Sequence, residues 1–163
     1  MPPSLKFYID FKSPYAYLAK EPAYALARDT GVEIDWLPYV LDIPAYLGSA
    51  KVDGEGRVLE QNRNAHQWRR VKYSYMDVRR EANRVGLTIR GTQKIWDSSL
   101  AGIGLLYAKR AGVFRAYNDE VFERFWKRDL DIEERLDKCL VSDGRHYTSK
   151  NTVSFSPCNT TSK

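Results

Sequence analysis

The sequence predicts an α/β fold that opens with one strand–helix–strand unit and continues as a series of helices. Three observations carry this reading. In "LKFYIDF" (Leu5 to Phe11), Leu5, Phe7, Ile9 and Phe11 fall on one face, the period of a strand. "SPYAYLA" follows at once and places Ser13 as an N-cap and Pro14 at the first helical position, where its missing N–H costs nothing. Beyond Gly31, "VEIDWLPYV" (Val32 to Val40) reads as a second strand, weakened towards its end by Pro38.

Taken in order, the first helix should run from Pro14 to about Asp29 and stop at Gly31. A strand, a helix and a strand at this spacing make a βαβ unit with parallel strands and a right-handed crossover. "GSAKVDGEGR" (Gly48 to Arg57) is a loop by composition. Trp68, Val71, Tyr75, Val78, Ala82 and Val85 then alternate steps of three and four, the seam of an amphipathic helix ending at Gly86. In "WDSSLAGIGLLYAKRAG", Asp97 or Ser98 caps a second such helix, Lys109 and Arg110 suit its C-terminal dipole, and Gly112 ends it. Its middle is apolar nearly all round, which predicts the most buried helix of the set. Phe114, Tyr117, Val121 and Phe125 mark the next helix, and Asp131 to Glu134 read as a capping box opening a last one through about Leu140. From Val141 onward the chain is rich in Ser, Thr and Asn and shows one short strand candidate, Asn151 to Phe155. Such a tail buries too little apolar surface to offset its ordering entropy. The expected organisation is a βαβ half over 1–47, a helical region over 58–140 and a disordered tail over 141–163.

Composition bounds the function. A chain of 163 residues with 43% hydrophobic, 13% aromatic and 29% charged residues describes one globular domain rather than a disordered or fibrous chain. No apolar run approaches the ~20 residues of a membrane span, and "MPPSLKFYID" lacks the pattern of a secretory signal, so cytoplasm is the expected compartment. Cys139 and Cys158 are too far apart for a C-x-x-C motif, and His66 and His146 have no companions at metal-ligand spacing. Both observations argue against zinc and dithiol chemistry. The net charge of +5 suits an acidic partner.

Three stretches resemble a known family. "FYIDFKSPYAYLA" is similar to the first strand and active-site turn of the 2-hydroxychromene-2-carboxylate isomerases and kappa-class glutathione transferases, in the DsbA-like branch of the thioredoxin fold. "VKYSYMDVRREANRVG" matches their K-Y-x-x-x-D-x-x-R pattern at Lys72, Tyr73, Asp77 and Arg80, and "VFERFWKRDLDIEE" matches a later helix. The resemblance implies a DsbA-like thioredoxin βαβ half carrying an all-helical insertion. It also implies bound glutathione as cofactor, with Ser13 as catalytic residue and Tyr15, Lys72 and Tyr73 contacting a small-molecule substrate, aromatic or an unsaturated carbonyl. Redox members carry C-x-x-C where this chain has Ser13 and Ala16, so disulfide exchange at this turn is excluded. In the glutathione-dependent members the serine hydroxyl donates to the glutathione sulfur at a helix N-terminus, which lowers thiol pKa values. The thiolate then adds to the substrate, the former double bond rotates, and the thiolate leaves, a cis–trans isomerisation.

The same residues admit plainer roles. Ser13 alone is an ordinary N-cap, and Asp10 reads as a structural strand-end carboxylate. Lys72 stands among Arg69, Arg70, Arg79, Arg80 and Arg84, the composition of a solvated helix face. With Trp68, Tyr73 and Tyr75 these residues also raise nucleic-acid binding, against which stand the seam positions of Trp68 and Tyr75 and the acidic Asp77 and Glu81. One departure from the family matters. Its second thioredoxin half supplies a cis-proline loop, a β-hairpin and a closing helix, whereas no proline occurs here between Pro44 and Pro157. That half is expected to be missing. The expectation leaves two alternatives to the enzyme, a non-catalytic remnant or an interaction protein, and an open strand edge that invites homo-oligomerisation.

Overall fold

In the computed structural model, which describes residues 4–134, strand β1 (Ser4–Ile9) leads into helix α1 (Pro14–Thr30), and strand β2 (Glu33–Pro38) returns parallel to β1. Both ends of α1 are set by local chemistry. Ser13 Oγ accepts the Ala16 N–H at 3.3 Å, and Gly31, at φ 70°, donates its N–H to the Ala27 carbonyl. Ser4 faces Glu33 and Ile9 faces Pro38 across the ladder, so Pro38 falls at its last rung.

The segment expected as a loop is instead half of a hairpin. After a short helix α2 (Ile43–Leu47), strand β3 (Ser49–Val52) pairs antiparallel with β4 (Val58–Asn62). No residue of either strand is buried, so no alternation betrays them in the sequence. The turn is held by Asp53, whose Oδ1 accepts the Glu55 and Arg57 N–H groups at 2.9 Å each. Gly48 opens the hairpin at φ 63°, where a Cβ would lie 2.1 Å from the Asn62 carbonyl oxygen. Only glycine fits there.

Three longer helices complete the described chain: α3 (Ala65–Arg84), α4 (Ser99–Arg110) and α5 (Phe114–Lys127). Asn64 and Gln67 form a reciprocal capping box at the start of α3. Of its expected seam, Val78 and Ala82 are fully buried while Val85 is 66% exposed; the helix stops just before Val85, and Leu87 packs on the core instead. The most buried helix is α5, not α4. It buries Tyr117, Asn118, Val121, Phe122, Phe125 and Trp126, whereas α4 buries Ala101, Gly102, Leu105 and Ala108 and exposes Leu100, Ile103, Leu106 and Tyr107. Small residues let α4 approach β2 and α5 closely, which turns its larger apolar side chains outward. Lys109 Nζ ties it to β2 through Asp35 Oδ1 (2.5 Å) and the Trp36 carbonyl (2.6 Å). Where a capping box between Asp131 and Glu134 was expected, Asp131 Oδ1 accepts the Glu133 N–H at 2.8 Å and its carbonyl the Glu134 N–H, which makes a turn and no helix over 131–134; the rest of the expected last helix and the 141–163 segment lie outside the described residues.

One core joins the strand–helix–strand unit to the helices. Tyr17 of α1 stacks on Phe122 of α5 at 5.4 Å, Phe11 meets the same ring at 4.8 Å, and Trp36 packs on Phe114 at 5.3 Å. Beside them Lys20 reaches Asp119 Oδ1 at 2.6 Å. Burial, reinforced by Glu123, Asp119 and Glu21, pushes the Tyr17 phenol from its ordinary 10.0 up to about 12. Burial pushes Tyr24 up as well. A phenol whose folded pKa is raised holds its proton more tightly in the native state, so its contribution is complete below the unfolded pKa and lost as pH rises through the folded value. The melting temperature should therefore fall between pH 10 and about 12, where the phenol ionises in the unfolded chain but keeps its proton in the folded one. Thermal melts across that range check this; a flat melting temperature would contradict it.

Candidate functional site

Strand β1 ends at a buried pair of opposite charges. Asp10 Oδ1 accepts the Lys12 N–H at 3.0 Å, its Oδ2 accepts the Leu41 N–H at 2.7 Å, and Lys12 Nζ lies 3.2 Å from that Oδ2. The two side chains are only 1% and 5% exposed. Lys12 Nζ also donates to Ser98 Oγ at 3.3 Å, so the hydroxyl at the start of α4 serves the lysine rather than its own helix; Asp97 Oδ1 accepts the Ser99 N–H in its place. Asp10 thus has the structural part expected of it.

The next residue is Ser13. Its oxygen accepts from Ala16, and a hydroxyl that accepts keeps its own proton to donate. Capping and donation to a ligand are compatible in one side chain.

Ser13 lines a cavity of about 270 Å³ between the start of α1, the α2 segment, α3 and the Thr92–Trp96 loop. Among the described residues four cations line it, Lys12, Arg63, Arg70 and Lys94, and no carboxylate does. Arg63 Nε donates to the Leu47 carbonyl at 3.0 Å, and its guanidinium lies 5.1 Å from the Trp68 ring. Burial lowers its pKa. Lys94 is paired with Glu133, while Arg63 and Arg70 have no carboxylate partner among the described residues. The far wall is aromatic: Trp96, Phe125 and Trp126. Behind it the Arg128 guanidinium lies 4.7 to 5.0 Å from all three rings and donates to the carbonyls of Arg90, Gly91 and Phe125. An acidic ligand with a flat apolar part suits such a lining.

The sequence-predicted residues separate into two groups. Ser13 and Tyr15 line the cavity. Tyr15 donates its phenol to Asp77 Oδ2 at 2.9 Å, and Asp77 Oδ1 accepts from Arg80 at 2.6 Å, so two of the quoted motifs meet in one contact. Burial and then Asp77 raise the Tyr15 pKa, which keeps it a neutral donor. Lys72 and Tyr73 do not line the cavity; Lys72 is exposed and Tyr73 is 68% exposed. On α3 that part falls to Arg70, Val71, Ser74 and Tyr75. Other basic residues of α3 are engaged elsewhere, Arg80 and Arg84 with acidic neighbours and Arg79 with the Ile89 carbonyl and the Tyr75 ring. Lys12, Arg63 and Lys94 were not legible as cavity residues, because each lies outside the helical patterns.

A family model described as a DSBA-like thioredoxin domain matches residues 4–154, a span that includes every residue of the cavity. The chain belongs to this family. Its solved structural neighbours include a 2-hydroxychromene-2-carboxylate isomerase, 24% identical, with a TM-score of 0.53 over 80% of this chain and 60% of that one. The DSBA-like domain therefore spans about three-fifths of the neighbour's length, and the likeness establishes a shared fold. No curated protein sequence matches the chain. In the frame of the fold, Ser13 occupies the N-terminus of the helix that follows the first strand of this DSBA-like domain. No helix among the described residues is long and apolar enough to cross a membrane.

Proposed function

We propose that this DSBA-like domain is a glutathione-dependent isomerase or transferase acting on small aromatic or unsaturated carbonyl acids. The observation that carries the reading is a serine at a helix N-terminus, with a proton free to donate, on the wall of a cavity that the described residues line with cations and rings and with no carboxylate. The fold shared with an isomerase supports the reaction class.

Bound glutathione would supply a thiolate nucleophile that adds reversibly to the substrate. The residues of this chain provide the surroundings. The Ser13 hydroxyl donates to the sulfur, and the partial positive charge of the α1 N-terminus favours the ionised thiol over the neutral one. Arg70 and Arg63 attract carboxylates, since neither has a counter-ion among the described residues. Trp96, Phe125 and Trp126 present ring faces and edges to a flat substrate and keep water from one side of it.

Titration calorimetry with glutathione tests the reading. The sequence offers no proline between Pro44 and Pro157 whose backbone could pair with the glutathione peptide, so sulfur and carboxylate contacts carry the binding. A dissociation constant near or above 1 mM is expected, a free energy of only ~4 kcal/mol. Saturable binding lost on Ser13→Ala supports the reading. Absence of any heat at glutathione concentrations well above that range would sink it.

A further inference from the structure

The Asp10–Lys12 pair next to Ser13 is directional. Asp10 does not line the cavity; Lys12 does. Its carboxylate is further occupied by the Lys12 and Leu41 N–H groups, so the ion pair presents its positive end to the cavity. An ammonium has three N–H donors. Among the described residues Lys12 Nζ donates to Ser98 Oγ and is ion-paired with Asp10 Oδ2, which leaves at least one N–H without an acceptor. A buried ammonium with an unused donor is costly unless something accepts from it. The cavity is where that acceptor can come from.

We propose that the third N–H of Lys12 is a second donor to the ligand sulfur received by Ser13, so that Asp10, Lys12, Ser98 and the start of α1 form one built thiolate site. This rests on the glutathione reading above and assigns its sulfur subsite to a lysine that no sequence pattern singles out. Lys12 lowers the thiol pKa by charge as well as by hydrogen bonding, because a desolvated cation beside an ionising group favours the anion. The other charged groups near Lys12 are Asp10 and Asp97, the latter at the start of α4. Across the cavity stand Lys94, Arg63 and Arg70 with the phenols of Tyr15, Tyr46 and Tyr75. None of the cavity-facing groups among the described residues is a carboxylate that would cancel the lysine.

The test is the pH midpoint of thiolate formation in bound glutathione, read from the pH dependence of its dissociation constant in titration calorimetry, alongside the affinity for S-methylglutathione, which has no ionisable thiol. In Lys12→Met the midpoint should rise by about one pH unit or more while S-methylglutathione binds as before. Lys12→Arg, which keeps the charge, should restore most of the lowering. Because Lys12→Met leaves Asp10 buried without its counter-ion, Asp10→Asn/Lys12→Met serves if the single variant fails to fold, and a smaller rise in the same direction is expected. An unshifted midpoint in the folded variant overturns the assignment, and so does a parallel loss of S-methylglutathione affinity, which marks a structural role. A wild-type chain that binds neither ligand overturns the functional reading and this assignment together, a pattern distinct from the failure of Lys12 alone.

Discussion

Ser13→Ala should lower glutathione-dependent turnover by about 10²-fold, the usual consequence of losing one donor to a developing or resident anion. The structure makes the substitution ambiguous unless it is paired with a second one. The same oxygen accepts the Ala16 N–H, so alanine also removes a helix cap worth ~1 kcal/mol of stability. Ser13→Gly separates the roles, since glycine caps a helix nearly as well and donates nothing from a side chain. The two variants should share the activity loss and differ in melting temperature. Should Ser13→Gly retain wild-type turnover, the serine is a cap only, and the cations of the cavity would have to hold the sulfur unaided.

The readable parts of this chain are those with a local cause. Ser13, Pro14 and Gly31 announce α1 because capping, a fixed φ and a left-handed stop are properties of single residues. The hairpin was not readable, because strands solvated on both sides lose the alternation that marks a half-buried strand, and its anchor, Gly48 at φ 63°, looks like any loop glycine. The family resemblance put Lys72 and Tyr73 at the substrate, whereas the cavity takes Val71 and Tyr75 from the seam that periodicity marked, together with Arg70 and Ser74. Which side of α3 meets the cavity depends on where α1 and α2 lie, and those contacts fix Arg70, Val71 and Ser74 as the cavity face. Lys12 was the deepest omission. A lysine between a strand and an N-cap reads as solvated, and only the long-range contact with Ser98 shows that it is buried.

The same blindness to tertiary contact explains α4, whose apolar middle suggested burial all round. Its two inner glycines decide which side packs, and Gly104 is the tighter of them: a Cβ there would lie 2.1 Å from Tyr117 Oη and 2.7 Å from Cζ. Tyr117 is 2% exposed and donates to the Ala101 carbonyl at 2.8 Å, so it has little room to withdraw. Gly104→Ala gains about 1 kcal/mol of helix propensity. Against this stand about 1–3 kcal/mol for overpacking a filled core and about 1 kcal/mol for the Tyr117 hydrogen bond if the ring is displaced. The packing side wins, and a net loss of about 1–3 kcal/mol is expected in chemical denaturation. Gly102→Ala meets the Pro38 Cβ at 3.0 Å, a milder contact, and should cost less. In a Tyr117→Phe background, which removes the atom that would lie nearest the new methyl, Gly104→Ala should cost less than it does in the wild type. Equal costs in the two backgrounds would show that the phenol hydroxyl does not set the approach of α4 to α5, and a stabilised Gly104→Ala variant would mean that the two helices can part at this point with no loss of packing.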